Sequence, residues 1–454
     1  MTHHQENPGA AGASRRRFLA SGIPAAAANA AAAKATGKSM RPSVTARSAS
    51  RVLGANDRIN IGSIGVGGMG TGHLRDFVRQ SAEQKDIQVV AVCDVYKARR
   101  ERARKIAGLE EKDVFLDYRE LLARGDVDAA VIATPDHWHG QMALDALTAG
   151  KDVYLQKPMT YTIEEARHVA EATARLGRVL QVGSQGLSSP AIHKTRELIE
   201  QGEIGELLWA QGTASRNSTR GEWNYRIEPE GTPETIDWKR WLGGAPKRPF
   251  SAERYFRWRK YWDYSGGIAT DLFYHTLGPL VFAMGLKFPV AVSASGGIYV
   301  QKDREVPDTY ATLIEYPNCC IDLSGSMANA AGGRYHGTAI YGHKGTITFT
   351  RGRVVVTPEA LTPGSFDKRA EVPPKVFEVP ETRSTHGAHT DNFFACMRSR
   401  RQPNLNAELG WQIMAAIRLG VDAYREGKTK LFDPNSQRPA ARFRPRPEWQ
   451  GDGK

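Results

Sequence analysis

The feature that most constrains this chain is a glycine-rich turn between two short apolar stretches. Apolar residues from Ile59 to Ile64 mark a strand, and three glycines follow at G-x-G-x-x-G spacing: Gly65, Gly67 and Gly70. In such a turn the first glycine permits the bend, the second admits a pyrophosphate, and the third lets the next helix pack on the strand. The second apolar stretch ends at Asp94, where a carboxylate can hold ribose hydroxyls. These elements predict the first β-α-β unit of a dinucleotide-binding Rossmann fold.

The residues around the turn indicate which dinucleotide binds. Gly68 and Met69 lie at the start of the predicted helix, whose free N–H groups and positive dipole end attract phosphates. Asp94 favours NAD over NADP because a carboxylate repels the 2′-phosphate of NADP. Lys97 and Arg99 follow closely and weaken that preference. We therefore expect NAD as the cofactor, with NADP as the alternative.

Strands alternate with helices over residues 57–182, which predicts an α/β fold with a parallel, doubly wound sheet. Sheets of this kind bind ligands at the carboxyl ends of their strands. Several residues fall at or just past those ends: Asp94, Thr134, Gln156, Lys157 and Gln185. Their convergence predicts a cofactor site along one edge of the sheet.

From residue 183 the pattern changes to short strands of alternating polarity between turns. These strands predict one large, open antiparallel sheet, so that residues 183–430 form an α+β domain for substrate binding. The second face of such a sheet must be covered, and association of identical subunits is the usual solution. We therefore expect a homodimer or homotetramer.

The N-terminus resembles an export signal. Residues 14–19 read Ser-Arg-Arg-Arg-Phe-Leu, similar to the twin-arginine pattern, and a weakly hydrophobic, alanine-rich stretch follows. Residues 1–35 are interpreted as a twin-arginine signal peptide and residues 36–56 as a flexible linker, the alternative being a disordered basic tail. The resemblance implies that the twin-arginine machinery exports the folded protein to the periplasm or another extracytoplasmic space.

Composition argues against several other classes of protein. The formal net charge is +13, but much of the excess lies in the termini, at residues 15–17 and in a predicted basic tail, residues 431–454. No nucleic-acid-binding module is recognisable, and no apolar run approaches the roughly 20 residues of a membrane span. The four cysteines form neither a disulfide framework nor a C-x-x-C motif. We expect no nucleic-acid partner and no stable membrane insertion.

Four motifs resemble those of the Gfo/Idh/MocA oxidoreductases, in the same order over residues 57 to about 430. They are the glycine turn, Ala133-Thr134-Pro135, Gln156-Lys157-Pro158 and the segment from Gly266 to His275. The resemblance implies a Rossmann domain paired with an open-faced α/β domain. It further implies oxidation or reduction of sugars, cyclitols and related compounds with NAD(P).

The resemblance also assigns roles to single residues. It implies that Thr134 and Pro135 line the nicotinamide side of the cofactor, and His139 is a further candidate there. His137 and His139 could instead begin a zinc site, but no third ligand stands out, so we expect no metal. The usual family motif is Glu-Lys-Pro, whereas this chain has Gln156. Any role that needs a carboxylate at this position is therefore in doubt.

The chemistry of Lys157 can be argued from its position at a strand end. Beside a nicotinamide that becomes cationic, its ammonium form is disfavoured by like charge and by burial. Lys157 can then exchange a proton with a hydroxyl as hydride leaves the carbon. Asp271 and His275 share a face of a predicted helix. From there Asp271 can orient Lys157 or His275, and His275 can hydrogen-bond the reacting hydroxyl. The alternatives are a solvated lysine and a helix-surface ion pair.

The segment from Tyr255 to Tyr264 mixes aromatic rings with arginines. Aromatic rings pack on the C–H faces of sugars, and arginine binds hydroxyls or carboxylates. We predict substrate contacts from Arg259, Tyr264 and Trp223, the alternative being core packing.

The sequence as a whole predicts an exported NAD(P)-dependent oxidoreductase that acts on a hydroxyl or ketone of a sugar or cyclitol. An exported enzyme lacks a cytoplasmic NAD pool, which favours a tightly held cofactor and a redox-neutral cycle. One alternative is an NAD-using glycoside hydrolase or lyase that works through a transient keto-sugar. Another is a sugar-binding protein without activity.

Overall fold

The computed structural model describes residues 58–84, 86–332, 337–350, 352–360, 372–381 and 385–441. The predicted signal peptide and linker, and the predicted tail from residue 442 onward, lie outside these ranges. All described residues fall within one compact unit, Leu53–Lys454.

The first sheet is built from nearly continuous apolar runs because helices cover both of its faces. Its six strands are parallel, in the order β3-β2-β1-β4-β5-β6. They are β1 (Ile59–Ile64), β2 (Ile87–Cys93), β3 (Val114–Phe115), β4 (Ala129–Ile132), β5 (Asp152–Gln156) and β6 (Leu180–Gly183). The predicted doubly wound sheet is confirmed. Its strand order reverses between β1 and β4, which is where such folds bind ligands.

Five helices connect these strands. They are α1 (Gly68–Gln84), α2 (Lys97–Ala107), α3 (Tyr118–Leu122), α4 (Asp136–Thr148) and α5 (Ile163–Leu176). Local sequence sets their ends: α5 begins with a capping box between Thr162 and Glu165 and ends at Gly177, which has a positive φ of 60°. The apolar face of α5 then packs against a long helix of the second domain, α11 (Ala407–Glu426).

The second sheet has ten strands in the order β14-β13-β12-β11-β7-β10-β9-β8-β15-β16. They are β7 (Leu207–Thr213), β8 (Ala291–Gly297), β9 (Thr309–Glu315), β10 (Cys320–Ser326), β11 (Ala339–Gly342), β12 (Gly345–Phe349), β13 (Arg353–Pro358), β14 (Lys375–Glu378), β15 (Lys430–Asp433) and β16 (Arg438–Ala440). The sheet is mixed rather than wholly antiparallel, because β7 and β10 pair in parallel. The meander β8-β9-β10 is inserted after β7, and its last strand returns alongside β7 in the same direction.

Where the structure describes this domain, its α-helices include α6 (Pro190–Glu200), α7 (Trp238–Leu242), α8 (Ala252–Phe256), α9 (Tyr274–Ala283), α10 (Thr385–Ser399) and α11. A π-helical turn, Ala269–Phe273, runs directly into α9. The helix predicted for this segment is therefore irregular at its start. No helix among the described residues is long and apolar enough to cross a membrane.

The C-terminal boundary differs from the prediction. Residues 431–440 were expected to begin a basic tail, but β15 pairs with β8 and β16 pairs with β15. Phe432 is only 3% exposed, and its ring stacks on Phe288 at 5.4 Å between centroids. Residues 431–440 contain one arginine and one aspartate, and the burial of Phe432 joins this segment to the sheet.

Candidate active site

A cavity of about 490 Å³ lies at the carboxyl ends of β1, β2, β4 and β5, where the strand order reverses. Most of the predicted site residues line it: Gly65, Gly67, Gly68, Met69, Asp94, Thr134, Pro135, Gln156, Lys157, Arg259, Asp271 and His275. The cavity therefore joins the glycine turn of the first domain to the π-helical turn and α9 of the second. Five predicted residues do not line it: Gly70, His139, Gln185, Trp223 and Tyr264.

The glycine turn is shaped by close backbone approaches. Gly65 has a φ of +80°, and a Cβ atom there would lie 2.9 Å from the Ala133 carbonyl oxygen. A Cβ atom on Gly70 would lie 1.9 Å from the carbonyl oxygen of Gly65. Gly70 thus allows the helix to meet the turn and does not face the cavity. By contrast, a Cβ atom on Gly68 would meet no atom within 4 Å, so space remains beside the helix start.

Asp94 fixes the turn to the end of β2. Its Oδ2 accepts a hydrogen bond from the Val66 backbone N–H at 2.9 Å, and its Oδ1 accepts one from the Tyr96 N–H at 2.9 Å. The side chain is buried yet still borders the cavity. Each carboxylate oxygen has a second lone pair, so hydrogen bonds to ribose hydroxyls remain available.

Lys157 and Asp271 form the central contact of the site. The Lys157 Nζ donates to Asp271 twice, at 2.7 Å to Oδ1 and at 2.6 Å to the main-chain oxygen. The Arg259 Nε donates to the same Oδ1 at 2.9 Å, and the Trp223 indole N–H donates to Oδ2 at 3.0 Å. Asp271 therefore positions both cations from the π-helical turn, a kind of irregularity that is frequent at functional sites. The sequence indicated the Lys157–Asp271 partnership but not the main-chain acceptor.

Charges in this cluster are strongly coupled. Burial lowers the pKa of Lys157, and the Arg259 charge adds to that effect, whereas Asp271 opposes it. Burial by itself would raise the pKa of Asp271, but Lys157 and Arg259 hold it far below its usual range. Asp271 is therefore an anion at every working pH, while Lys157 gives up its proton more readily than a lysine in water.

His275 is neutral. Burial, followed by the charge of Lys157, lowers the pKa of His275 to about 3. Its Nδ1 lies 3.2 Å from the Ser184 hydroxyl oxygen. A neutral imidazole can donate or accept one hydrogen bond towards the cavity, which suits contact with a substrate hydroxyl.

Asp136 lies beside the site, although no motif in the sequence singles it out. It lies in the first turn of α4, is 3% exposed, and its Oδ2 accepts a hydrogen bond from the Thr270 hydroxyl at 3.1 Å. Burial raises the pKa of Asp136 to about 7, against the lowering effect of Arg259 and Lys157. Thr270 immediately precedes Asp271, so this hydrogen bond connects the first domain to the π-helical turn. Nothing in the sequence marks the burial on which this pKa depends.

Three predicted cofactor ligands lie behind or at the cavity wall. His139 is buried, and its ring nitrogens lie 2.6 Å from the Pro158 carbonyl oxygen and 2.9 Å from that of Thr134. His139 therefore braces the two strand-end segments and does not face the cavity. Gln185 is also buried, with its amide 3.4 Å from the Tyr154 hydroxyl. Gln156 does border the cavity, and its amide contacts His73 Nε2.

The predicted substrate contacts need correction. Tyr264 is fully buried and packs against Trp241 with 4.6 Å between ring centroids. Trp223 is 2% exposed and acts through its hydrogen bond to Asp271. Core packing, the alternative considered for both, describes them better. Arg259 does line the cavity, as do Trp258 of the same segment and Tyr225.

The residues of the cavity fit a dinucleotide. Among the described ranges, no group of three or more His, Cys, Asp or Glu side chains could hold a metal ion. The start of the 17-residue helix α1 points free N–H groups towards the space left by Gly67 and Gly68, which is the arrangement that binds a pyrophosphate. Asp94 at the end of β2 adds an acceptor for ribose.

Two sequence models of one family match this chain. The model of an oxidoreductase family with an NAD-binding Rossmann fold matches residues 59–184. The model of the C-terminal α/β domain of that family matches residues 196–431.

Curated relatives match over shorter stretches. Inositol 2-dehydrogenase of Salmonella paratyphi B is 31% identical over 189 residues, which cover 40% of this chain and 54% of the relative. Glycosyl hydrolase family 109 protein 2 of Shewanella sp. (strain ANA-3) is 34% identical over 211 residues, which cover 43% of this chain and 45% of the relative. The chain thus spans about half the length of these curated relatives.

The fold also resembles solved structures. Levoglucosan dehydrogenase in complex with NADH and levoglucosan has a TM-score of 0.61 at 19% identity, covering 82% of this chain and 98% of that chain. At this identity the likeness concerns the fold alone. Since the two family models together match more than half of the residues, this chain belongs to the Gfo/Idh/MocA family of oxidoreductases with an NAD-binding Rossmann fold.

Proposed function

We propose that this protein is an NAD-dependent oxidoreductase that transfers hydride between the nicotinamide and a hydroxyl-bearing carbon of a sugar or cyclitol. The observation that carries the proposal is Lys157, which lies at the end of β5 in the same cavity as the glycine turn and contacts Asp271. The names of relatives, among them inositol 2-dehydrogenase, agree with this substrate class.

The bound nicotinamide would supply the hydride acceptor or donor. Lys157, in its neutral form, takes the hydroxyl proton during oxidation, and as an ammonium it returns a proton during reduction. Because burial lowers the pKa of Lys157, its neutral form is easier to reach than that of a lysine in water. Asp271 keeps the amine in one place through its two contacts, which restricts the direction in which the proton moves.

Other residues hold the substrate oxygen and ring. His275, neutral because it is buried, lines the same cavity as Lys157 and can hydrogen-bond the reacting hydroxyl. Tyr225 and Trp258 border the same cavity and offer aromatic faces to the C–H surface of a sugar. The Arg259 guanidinium lies 4.2 Å from the Trp258 ring centroid, which fixes the orientation of that ring.

The direct test is turnover of the full chain with NAD⁺ and a panel of inositols and levoglucosan, followed by NADH absorbance. We expect reduction of NAD⁺ with at least one member and loss of about 10²-fold or more in kcat for Lys157→Ala. Equal activity of Lys157→Ala and wild type would contradict the assigned proton transfer.

A second candidate function is NAD-assisted cleavage of a glycosidic bond. Its support is the 34% identity to glycosyl hydrolase family 109 protein 2. In this scheme NAD⁺ would accept hydride from a ring carbon, the resulting ketone would acidify the neighbouring C–H so that the aglycone leaves by elimination, and addition of water and return of the hydride from NADH would complete hydrolysis. Incubation with NAD⁺ and an aryl glycoside distinguishes the two functions: the oxidoreductase accumulates NADH, whereas the glycosidase releases phenol without net NADH.

Subunit association is part of the proposal. On the outer face of the second sheet, Trp209 stacks on Tyr341 with ring centroids 4.2 Å apart, and Trp209 and Leu313 remain 37% and 41% exposed. Neighbouring positions such as Ala210 and Ile340 are buried, so the exposed side chains share one face. We expect a dimer or tetramer by light scattering and dissociation of Trp209→Glu; a wild-type monomer would contradict the proposal.

Export is the remaining element. The motif at residues 14–19 supports a twin-arginine signal, and an exported enzyme without an NAD pool would need to retain its cofactor. We expect the wild type in the periplasmic fraction with nucleotide bound, and Arg15→Lys combined with Arg16→Lys in the cytoplasm. Cytoplasmic retention of the wild type would contradict export.

A further inference from the structure

Charged side chains are unevenly distributed around the active-site cavity. In the half beside the ends of β1 and β2, the described lining has as many carboxylates as arginines. They are Asp94, Asp117 and Glu228, and Arg99, Arg119 and Arg240. Asp117, for example, lies 3.4 Å from Arg119 and 3.5 Å from Arg240. The protein therefore places little net charge in this half.

The opposite half, which we call the substrate half, surrounds Lys157 and is not balanced. Its described lining includes four basic side chains and one carboxylate: Lys157, Arg216, Arg226 and Arg259, with Asp271. The buried Asp136 lies nearby, but burial raises its pKa to about 7, so it offsets only part of the excess. Even with Lys157 neutral, the arginines outnumber the carboxylates. The substrate half is therefore positively charged.

Arg259 has donors that the protein does not use. Its Nε donates to Asp271 Oδ1 at 2.9 Å, and the same oxygen accepts from Lys157 at 2.7 Å. Its two terminal nitrogens have no hydrogen bond to any described residue, although the side chain is 24% exposed and lines the cavity. The guanidinium stacks on Trp258, with its carbon 4.2 Å from the ring centroid. Stacking leaves the in-plane N–H groups available to an acceptor in the cavity.

Arg216 adds a second cation beside the same space. It follows β7, and its backbone N–H donates to the Ser326 carbonyl oxygen at 2.8 Å. Its exposed side chain lines the cavity and forms neither a hydrogen bond nor an ion pair with any described residue. Burial raises the pKa of Tyr225, and the charges of Arg259 and Arg216 both oppose that rise. Both cations therefore lie near the Tyr225 ring.

The positive surface continues out of the cavity. Arg226 also borders an adjoining hollow of about 570 Å³, whose lining includes Arg220, Arg257 and Asp303. Asp303 is already paired with Lys260 at 2.9 Å, so its charge is partly offset. A row of basic side chains of one sign attracts anions and raises their local concentration.

We propose that the substrate is an anionic sugar or cyclitol, whose carboxylate or phosphate group binds Arg259 and Arg216. The proposal rests on the proposed oxidoreductase function and narrows its substrate class. Arginine suits either group because its planar fork donates parallel N–H bonds to paired oxygens. A neutral hydroxyl in the same place would gain only the weaker hydrogen bonds of an uncharged acceptor.

The test compares substrates that share a ring and differ in charge. The full chain with NAD⁺ is given glucose, glucuronate and glucose 6-phosphate, then the corresponding galactose series, and then myo-inositol and its 1-phosphate. The rise in NADH absorbance gives kcat/KM. We expect a value at least about tenfold higher for an anionic member than for its neutral parent in one or more series. Preference for the uronate assigns a carboxylate, and preference for the phosphate ester assigns a phosphate.

Substitutions of Arg216 test whether this side chain causes the preference. Arg216→Gln should reduce the ratio of anionic to neutral kcat/KM by about tenfold, chiefly through KM, as loss of a charge-assisted hydrogen bond implies. Arg216→Lys keeps the charge and should recover part of that ratio. Arg175→Gln is the matched control, because Arg175 is also exposed but lies on α5 and does not line the cavity. It should leave the ratio unchanged.

The outcomes separate this proposal from the proposed function. Preference for the neutral parent in every series, an unchanged ratio in Arg216→Gln, or an equal change in Arg175→Gln would overturn the proposal. Absence of NADH with every anionic and neutral substrate would instead contradict the oxidoreductase function itself.

Discussion

Replacing Asp271 with asparagine removes the carboxylate that contacts both Lys157 and Arg259 and keeps the shape of the side chain. The contacts at stake are 2.7 Å to Lys157 and 2.9 Å to Arg259, and the lysine and aspartate side chains are only 8% and 10% exposed. Breaking a buried pair by removing one partner costs about 3–5 kcal/mol, because the other charge stays buried. We expect the lower end, about 3 kcal/mol, since the Arg259 side chain is 24% exposed and the Asp271 main-chain oxygen still contacts Lys157.

The same substitution should change the pH dependence of turnover. Asp271 raises the pKa of Lys157 against the effect of burial, so Asp271→Asn should lower that pKa further. The acid limb of the kcat profile for oxidation should therefore move to lower pH, while kcat at the optimum should fall because the amine is less well oriented. The free energy of unfolding also depends on pH. Because the pKa of Asp271 is lowered in the folded protein, its ionised form stabilises the wild type above the unfolded pKa of about 4, and this stabilisation is lost as pH falls.

The assay combines thermal melts with measurement of kcat as a function of pH, and Asp303→Asn is the matched control. Asp303 also lies between two cations, at 2.9 Å from Lys260 and 3.2 Å from Arg304, but outside the active-site cavity. Asp271→Asn should lower Tm by about 3–4 °C, since an unfolding entropy of about 2.1 cal/mol/K per residue over about 400 residues corresponds to roughly 0.8 kcal/mol per °C, and it should shift the acid limb. Asp303→Asn should lower Tm without shifting the limb. An unshifted limb in Asp271→Asn, or an equal shift in the control, would refute the assigned coupling.

Three further substitutions test separate parts of the site. Asp136→Asn should remove a pH dependence of stability. Because the pKa of Asp136 is raised to about 7 in the folded protein, the wild type should lose stability as pH rises from about 4 to 7. Thermal melts across that range should show this loss in the wild type only. Gly70→Ala should abolish NADH binding in a titration, since its Cβ would lie 1.9 Å from the Gly65 carbonyl oxygen. A Cβ on Gly72 would meet no atom within 4 Å, so Gly72→Ala should bind NADH normally and its free energy of unfolding should rise by up to about 1 kcal/mol. Gln156→Glu should raise the pKa of His73, which burial now lowers to about 4, because a carboxylate in place of the amide favours the imidazolium; an unchanged NMR titration would contradict the contact.

The sequence predicted those parts of the site that local spacing determines. The G-x-G-x-x-G turn had to follow a strand and start a helix, so its position in the fold followed from glycine conformation. Lys157 followed from the rule that ligands gather at the carboxyl ends of parallel strands. Its partner Asp271 followed from the family motif, and both line the cavity.

The residues that sequence reasoning misplaced depend on tertiary burial. Tyr264 and Trp223 are aromatic residues of the kind that pack on sugar rings. They are nevertheless buried, and their neighbours in the fold, such as Trp241 and Asp271, are distant in sequence. Asp136 looks like any helix-start aspartate, and only its burial raises its pKa. Residues 431–440 are rich in polar residues and proline, and only the pairing of β15 with β8 places them in the sheet. Local sequence patterns do not predict these long-range contacts.

The most direct test of the central claim is a single-turnover measurement on the full chain loaded with NAD⁺ and mixed with inositols and levoglucosan. We expect NADH absorbance to appear with at least one substrate in the wild type, and to appear about 10²-fold or more slowly in Lys157→Ala, with NAD⁺ still bound. Absence of NADH with every substrate, or equal rates in the two proteins, would contradict hydride transfer assisted by Lys157.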